Sequence, residues 1–218
     1  MRTKSFQGLV PDPKHVNDVA TVPYDVVNTE EARALAEGRP YDLLHVDRAE
    51  IDLPADTDPY SDVVYETARK KFLELQEKGI LQREAEPCLY VYQQIMGEHR
   101  QTGIALACHI DDYGDNIIRK HEKTRQVKED DRTRLVDTLS AHTGPIFLTY
   151  KDRDEINAMV DEVQANDEPV YRVTDERDVE HIVWRVTDCT GLIQQFNEVP
   201  LSYVADGHHR SASAWRVG

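Results

Sequence analysis

The stretch from Pro87 to Ile110 constrains the architecture most. PCLYVYQQI and GIALACHI are two apolar segments with strand-forming composition, separated by the polar MGEHRQT, and they read as a β-hairpin. A hairpin pairs its strands antiparallel, so the chain is not a purely parallel, doubly wound sheet. Four further strand candidates follow: PIFLTY (145–150), EPVYRV (168–173), HIVWRV (181–186) and LSYVAD (201–206). From Tyr60 to Lys78 the apolar residues Val64, Ala68, Phe72 and Leu75 recur at helical spacing, with Asp58 and Pro59 before them and Gly79 after, so a helix is expected there. Another is expected after Asn28 or Thr29 as cap, with Glu30 and Glu31 suiting its positive end and Gly38 stopping it. Helices are also expected near 154–164 and 191–198, and HVDRAEIDLPADTDP (45–59) reads as a polar loop. The irregular alternation, with at least one hairpin, predicts an α+β fold: a mixed sheet with a hairpin and flanking helices, forming one unit over residues 1–218. A subdivision near 80–86 is the one candidate boundary. After GHHR only two turns of helix follow, without a capped end, so the chain reads as the amino-terminal part of a longer protein.

Composition excludes several functions. No segment approaches the roughly 18 apolar residues of a membrane span, and MRTKSFQGLV lacks the apolar core of a signal peptide, so a cytoplasmic protein without membrane contact is expected. Cys88, Cys108 and Cys189 are odd in number, far apart and without a CxxC pair, which implies buried, reduced thiols. The net charge of −15 argues against nucleic acid as a partner. Against that background, residues 119–134 carry seven Lys or Arg and four acids, a surplus that marks a candidate anion site.

The strongest chemical signal is LSYVADGHHRSASAW. An apolar strand ends at Asp206, Gly207 allows a tight turn, and the Ser/Ala stretch continues as a helix. A helix start offers free N–H groups and partial positive charge, both suited to phosphate. Gly207, His208 and His209 then form the turn, Arg210 offers a planar fork of donors and Ser211 a hydroxyl. The alternative is an ordinary strand-to-helix turn with surface histidines. The second constellation is RKHEKTRQVKEDDRTR. The zinc-protease motif HExxH fails, because Arg125 occupies the second histidine position. If helical, the stretch places Glu122 and Arg125 on one face, either as an exposed ion-paired helix or as a site where Glu122 deprotonates a hydroxyl or holds magnesium while Arg125 and Lys128 hold phosphates. VPYDVV (22–27) and LLHVDR (43–48) read as loop structure, and Asp111, Asp112 and Asp115 as a turn. No Walker A loop, GxGxxG or GxSxG occurs.

FQGLVPDP, VPYDVV, HVDRAEIDLP, KHEKTR, KEDDR and YVADGHHRSASA resemble, in order and across essentially the whole chain, the domain-of-unknown-function 1015 family. More distantly, DGHHRSASA is similar to the GxxR motif of the ParB and sulfiredoxin superfamily, and this resemblance implies a ParB/sulfiredoxin-like core whose turn at Asp206–Ser211 binds nucleotide phosphates. That superfamily includes free-serine kinases, partition proteins that hydrolyse CTP, and sulfiredoxins. His208 stands where sulfiredoxins carry their reactive cysteine, which excludes that chemistry. The resemblance thus implies a kinase using ATP or ADP with Mg2+ on a small hydroxyl metabolite, with free L-serine foremost. Glu122 and Arg125 would then be catalytic. A nucleotide-binding regulator without kinase activity is the alternative, and a metal-dependent hydrolase using His121, His208 and His209 is a third reading. A homo-oligomer stays open.

Overall fold

The computed structural model describes all 218 residues, 39% in helix and 22% in strand. The strands are β1 (Thr3–Lys4), β2 (Leu9–Pro11), β3 (Leu81–Arg83), β4 (Leu89–Met96), β5 (His99–Ala105), β6 (Ala107–Cys108), β7 (Ile118–Arg119), β8 (Phe147–Tyr150), β9 (Tyr171–Thr174), β10 (Glu180–Val186) and β11 (Ser202–Asp206). The helices are α1 (Val16–Val19), α2 (Thr29–Ala36), α3 (Leu44–Asp47), α4 (Asp62–Glu77), α5 (Asp111–Gly114), α6 (Gln126–Leu139), α7 (Asp154–Asn166), α8 (Thr190–Asn197) and α9 (His208–Val217). No helix is long and apolar enough to cross a membrane.

The hairpin is β4–β5, and its turn is only Gly97–Glu98, between paired Met96 and His99. Gly97 has φ +59° and Glu98 does not share that sign, the pattern of a type II′ turn. His99–Thr102 therefore belong to the strand. They are polar because β5 is an edge strand whose residues there are exposed, so alternation gave no signal. β10 pairs with the other side of β4, and β9 closes the antiparallel order β5-β4-β10-β9. Leu89, Val91, Ile182 and Trp184 of this sheet pack on Ile156 and Val160 of α7 and on Leu192 and Phe196 of α8.

A second core joins α3, α4 and α6. Val64, Tyr65, Ala68, Phe72 and Leu75 of α4 are buried, meeting Val46, Leu135 and Leu139. The helix runs where the periodicity placed it, and Gly79 follows it at φ +69°. α2 starts at a capping box: Asn28 Oδ1 accepts the Glu31 N–H at 3.0 Å, and Glu31 accepts the Asn28 N–H at 2.8 Å. The 45–59 stretch is not a plain loop. It holds the end of α3 and a 3-10 turn at Ala49–Asp52, because Val46, Ala49 and Ile51 are buried among its polar residues.

The mixed pairing is confined to β7-β11-β8, in which β11 runs parallel to β7 and antiparallel to β8. β1–β6 and β2–β3 form two further two-stranded sheets, so the single mixed sheet expected from sequence is four separate sheets. The basic segment is not one helix: it is β7, a loop over 120–125, and α6 beginning after Arg125. Asp111–Asp115, expected as a turn, is the single-turn helix α5 and its cap. Its Asp112 is fully buried and paired with Arg2, whose Nη2 lies 2.7 Å from Oδ1. All three cysteines are free, Cys88 and Cys189 buried and Cys108 half-buried.

Candidate functional site

The turn between β11 and α9 builds the site. β11 is held in the core by the fully buried Val204, while Asp206 at its end is exposed. Gly207 then takes φ +88°, and a Cβ there would stand 3.2 Å from both Cζ and Nε of Arg210. Conformation and space together therefore demand glycine. The first bond of α9 runs from the Ser211 N–H to the Gly207 carbonyl at 2.8 Å. The N–H groups of His208, His209 and Arg210 precede it and have no helical acceptor.

The 120–125 loop is fixed against this helix start. The Arg125 N–H donates to His209 Nε2 at 3.1 Å, so the His209 proton resides on Nδ1. Behind this contact α6 and α9 are stitched together. Ser213 Oγ shares its one proton between the carbonyls of His209 (2.8 Å) and Glu129 (3.2 Å), and Arg216 reaches the carboxylates of Glu129 (3.0 Å) and Asp130 (2.7 Å). Thr124 adds a bond to Glu129 at 2.6 Å. The loop thereby sets His121 and Glu122 beside His208. The two imidazole rings meet edge to face at 4.5 Å, and Glu122 Oε2 lies 3.9 Å from His208 Nδ1. One donor atom from each of His121, Glu122 and His208 lies within 4.8 Å of the others. His208 is buried, whereas Glu122 is 62% exposed and faces solvent. Burial, reinforced by neighbouring His121 and His209, pushes the His208 pKa below the usual histidine value despite Glu122 and Asp206, so the ring is neutral at pH 7.

The cations expected to grip phosphate are placed differently. Arg210 folds back over Gly144 and Gly207, binds Asp206 at 2.6 Å and the Pro145 carbonyl, and lies 3.8 Å from Asp25. Its charge is met inside the chain, and these contacts brace the turn. Ser211 Oγ donates to the Gly207 carbonyl at 3.0 Å and is likewise consumed. Lys128 is on another face of α6, 5.9 Å from the centre of the Tyr60 ring, away from the helix start. Arg125 is exposed, and its guanidinium makes no ion pair. Since 120–125 is not helical, Glu122 and Arg125 share this site through the bond to His209 and not through a helix face.

Residues 3–218 match a family described as a protein of unknown function (DUF1015). The chain belongs to the DUF1015 family. No curated protein and no solved structure matches it. In this DUF1015 chain two segments read as mere loops turn out to approach the same turn. VPYDVV brings Asp25 toward Arg210 and sets Tyr24 against the Arg132 guanidinium, 4.1 Å from the ring centre. LLHVDR brings Asp47 to the Thr143 hydroxyl, which donates to it, and burial pushes the Asp47 pKa up. Arg132, itself paired with Asp131 at 2.9 Å, also donates to the Asp47 carbonyl at 3.4 Å. The available sequence signal was an acid closing an apolar run in each segment. A cavity of about 120 Å3 lies beside these groups, lined by Tyr24, Asp47, Tyr60, Tyr65, Lys128 and Arg132 among others. A concavity of about 700 Å3 lies elsewhere, along α8 between Ser5, Pro87 and Asn197, and holds none of the residues above.

Proposed function

We propose that this DUF1015 protein is a nucleotide-dependent phosphotransferase acting on the hydroxyl of a small metabolite, with free L-serine the first acceptor to test and ATP or ADP the donor. The observation that carries the reading is the Arg125–His209 bond, which holds the loop bearing Glu122 against the start of α9, with Glu122 Oε2 3.9 Å from His208 Nδ1. Phosphate oxygens are matched by those N–H groups and by the partial positive charge of the helix start. The spacing from Gly207 to Arg210, similar to the GxxR turn of the ParB and sulfiredoxin superfamily, supports a core of that kind and supports serine as acceptor.

In this reading His208, His209 and Arg210 present their N–H groups to the phosphates, and the Arg210 brace keeps the turn rigid so that they point together. Glu122 takes the proton of the acceptor hydroxyl as its oxygen bonds to the terminal phosphorus. The bond from that phosphorus to the departing phosphate breaks in the same step. Arg125 supplies positive charge at the open side, where charge spreads over the transferred group.

Magnesium is the metal such a reaction ordinarily uses, and it favours oxygen donors and retained waters. The donors beside Glu122 are two imidazoles, which do not suit it. No step is therefore routed through magnesium at Glu122. Glu122→Gln keeps the shape and removes the base, so turnover of nucleotide with acceptor falls by about 100-fold or more while nucleotide binding persists. Unchanged turnover would remove Glu122 from the mechanism. Nucleotide binding without any response to hydroxyl compounds would favour the regulatory reading instead.

A further inference from the structure

His208 is buried at the first position of α9. Neither ring nitrogen has a hydrogen-bond partner in the chain: Nε2 is buried without one, and Nδ1 has only Glu122 Oε2 near it, at 3.9 Å, beyond hydrogen-bond reach. Nδ1, the nitrogen that faces Glu122, is therefore free to bind a partner outside the chain. Its neighbours are His121, in edge-to-face ring contact at 4.5 Å, and Glu122, and a donor atom from each of the three falls within a 4.8 Å span. Ligand atoms bound to one metal at about 2.0–2.2 Å stand about 3–4 Å apart, so closure needs only a small contraction. Two members are exposed residues of a loop, and the third is the buried first residue of a helix.

From this geometry we infer that His121, Glu122 and His208 form a three-ligand site for a borderline divalent transition metal, of the Zn2+, Mn2+, Fe2+ or Co2+ class, and not for magnesium. Two imidazole nitrogens and one carboxylate are the donors such ions prefer, and three protein ligands leave positions open for water or an anionic ligand. His209 is not a ligand, because its Nε2 accepts the Arg125 N–H and thereby fixes the loop that carries the other two. The metal also accounts for the sign of the site. Glu122, Asp206 and Asp25 stand around an anion-suited helix start, and a dication offsets charge that Arg210, already bound to Asp206, does not. Where the phosphotransferase reading holds, this inference deepens it. Glu122 bound through one oxygen keeps the second to take the hydroxyl proton.

The test uses the intact chain, stripped with a chelator and dialysed, without nucleotide. Co2+ is titrated while its visible d–d absorption is followed, and Zn2+ affinity is measured by competition with a chromophoric chelator. One equivalent of Co2+ is expected, displaced by Zn2+ and unaffected by millimolar Mg2+. His121→Ala and Glu122→Gln, both at exposed loop positions that the fold tolerates, are each expected to weaken Zn2+ binding by at least about tenfold. Absence of Co2+ absorption, or an affinity unchanged in both variants, overturns the inference. The two readings separate cleanly. Metal binding without phosphoryl transfer would leave this site standing and remove the kinase, whereas transfer by stripped protein with Mg2+ alone, and no Co2+ uptake, would do the reverse.

Discussion

At the scale of single residues, the turn at Gly207 was legible and its bracing was not. A strand, a glycine and a run of small residues signal a strand-to-helix junction on their own. Nothing local shows that Arg210 folds back onto Gly207, because its other partners, Asp25 and the Pro145 carbonyl, are far away in the chain. Gly207→Ala forces a side chain into φ +88° and against the guanidinium 3.2 Å away, so a loss of about 1–3 kcal/mol is expected in urea denaturation. Arg210→Ala frees Asp206 and the Pro145 carbonyl and opens space over Gly144. It is expected to cost about 1–3 kcal/mol, and Arg210→Lys recovers only part of that, because an ammonium cannot span the same acceptors. A full recovery by lysine would show that charge alone, and not the fork, holds the turn.

At the scale of elements, α4 and α2 were readable because long-period apolar spacing and caps are local signals. The 120–125 loop was not, since its conformation depends on a bond to His209 from a different element. The short helix α5 escaped notice for a similar reason: it is organised by a tertiary ion pair. Burial alone would raise the Asp112 pKa, but the Arg2 N–H at 2.6 Å and the Arg2 guanidinium outweigh it and hold the carboxyl below its ordinary range. A carboxylate with a depressed folded pKa stabilises fully above its unfolded value, about 3.9, and loses that contribution as pH falls through the folded pKa. Asp112→Asn is therefore expected to lower stability at pH 7 and to flatten the acid limb of the stability profile below about pH 4, measured by thermal melting from pH 2 to 7. An acid limb identical to that of the wild type would assign acid sensitivity to other carboxylates.

At the scale of the whole molecule, the α+β class followed from one hairpin and irregular alternation, and the division into four sheets did not, because pairing between distant strands leaves no local mark. The same holds for the site. Its centre was visible in DGHHR and KHEKTR, but the approach of VPYDVV and LLHVDR appeared only once α6 lay across both. The molecule carries a net charge of −15, and under the proposed function an anion would meet the N–H groups at the start of α9 and the exposed Arg125. The most direct test of that account is calorimetric titration of ATP, ADP and CTP with Mg2+ into the wild-type chain and into Arg125→Ala. The account predicts one nucleotide bound per chain, with affinity reduced several-fold in the variant while its melting temperature is unchanged. No heat of binding from any of the three nucleotides, or equal affinity in both proteins, would contradict it.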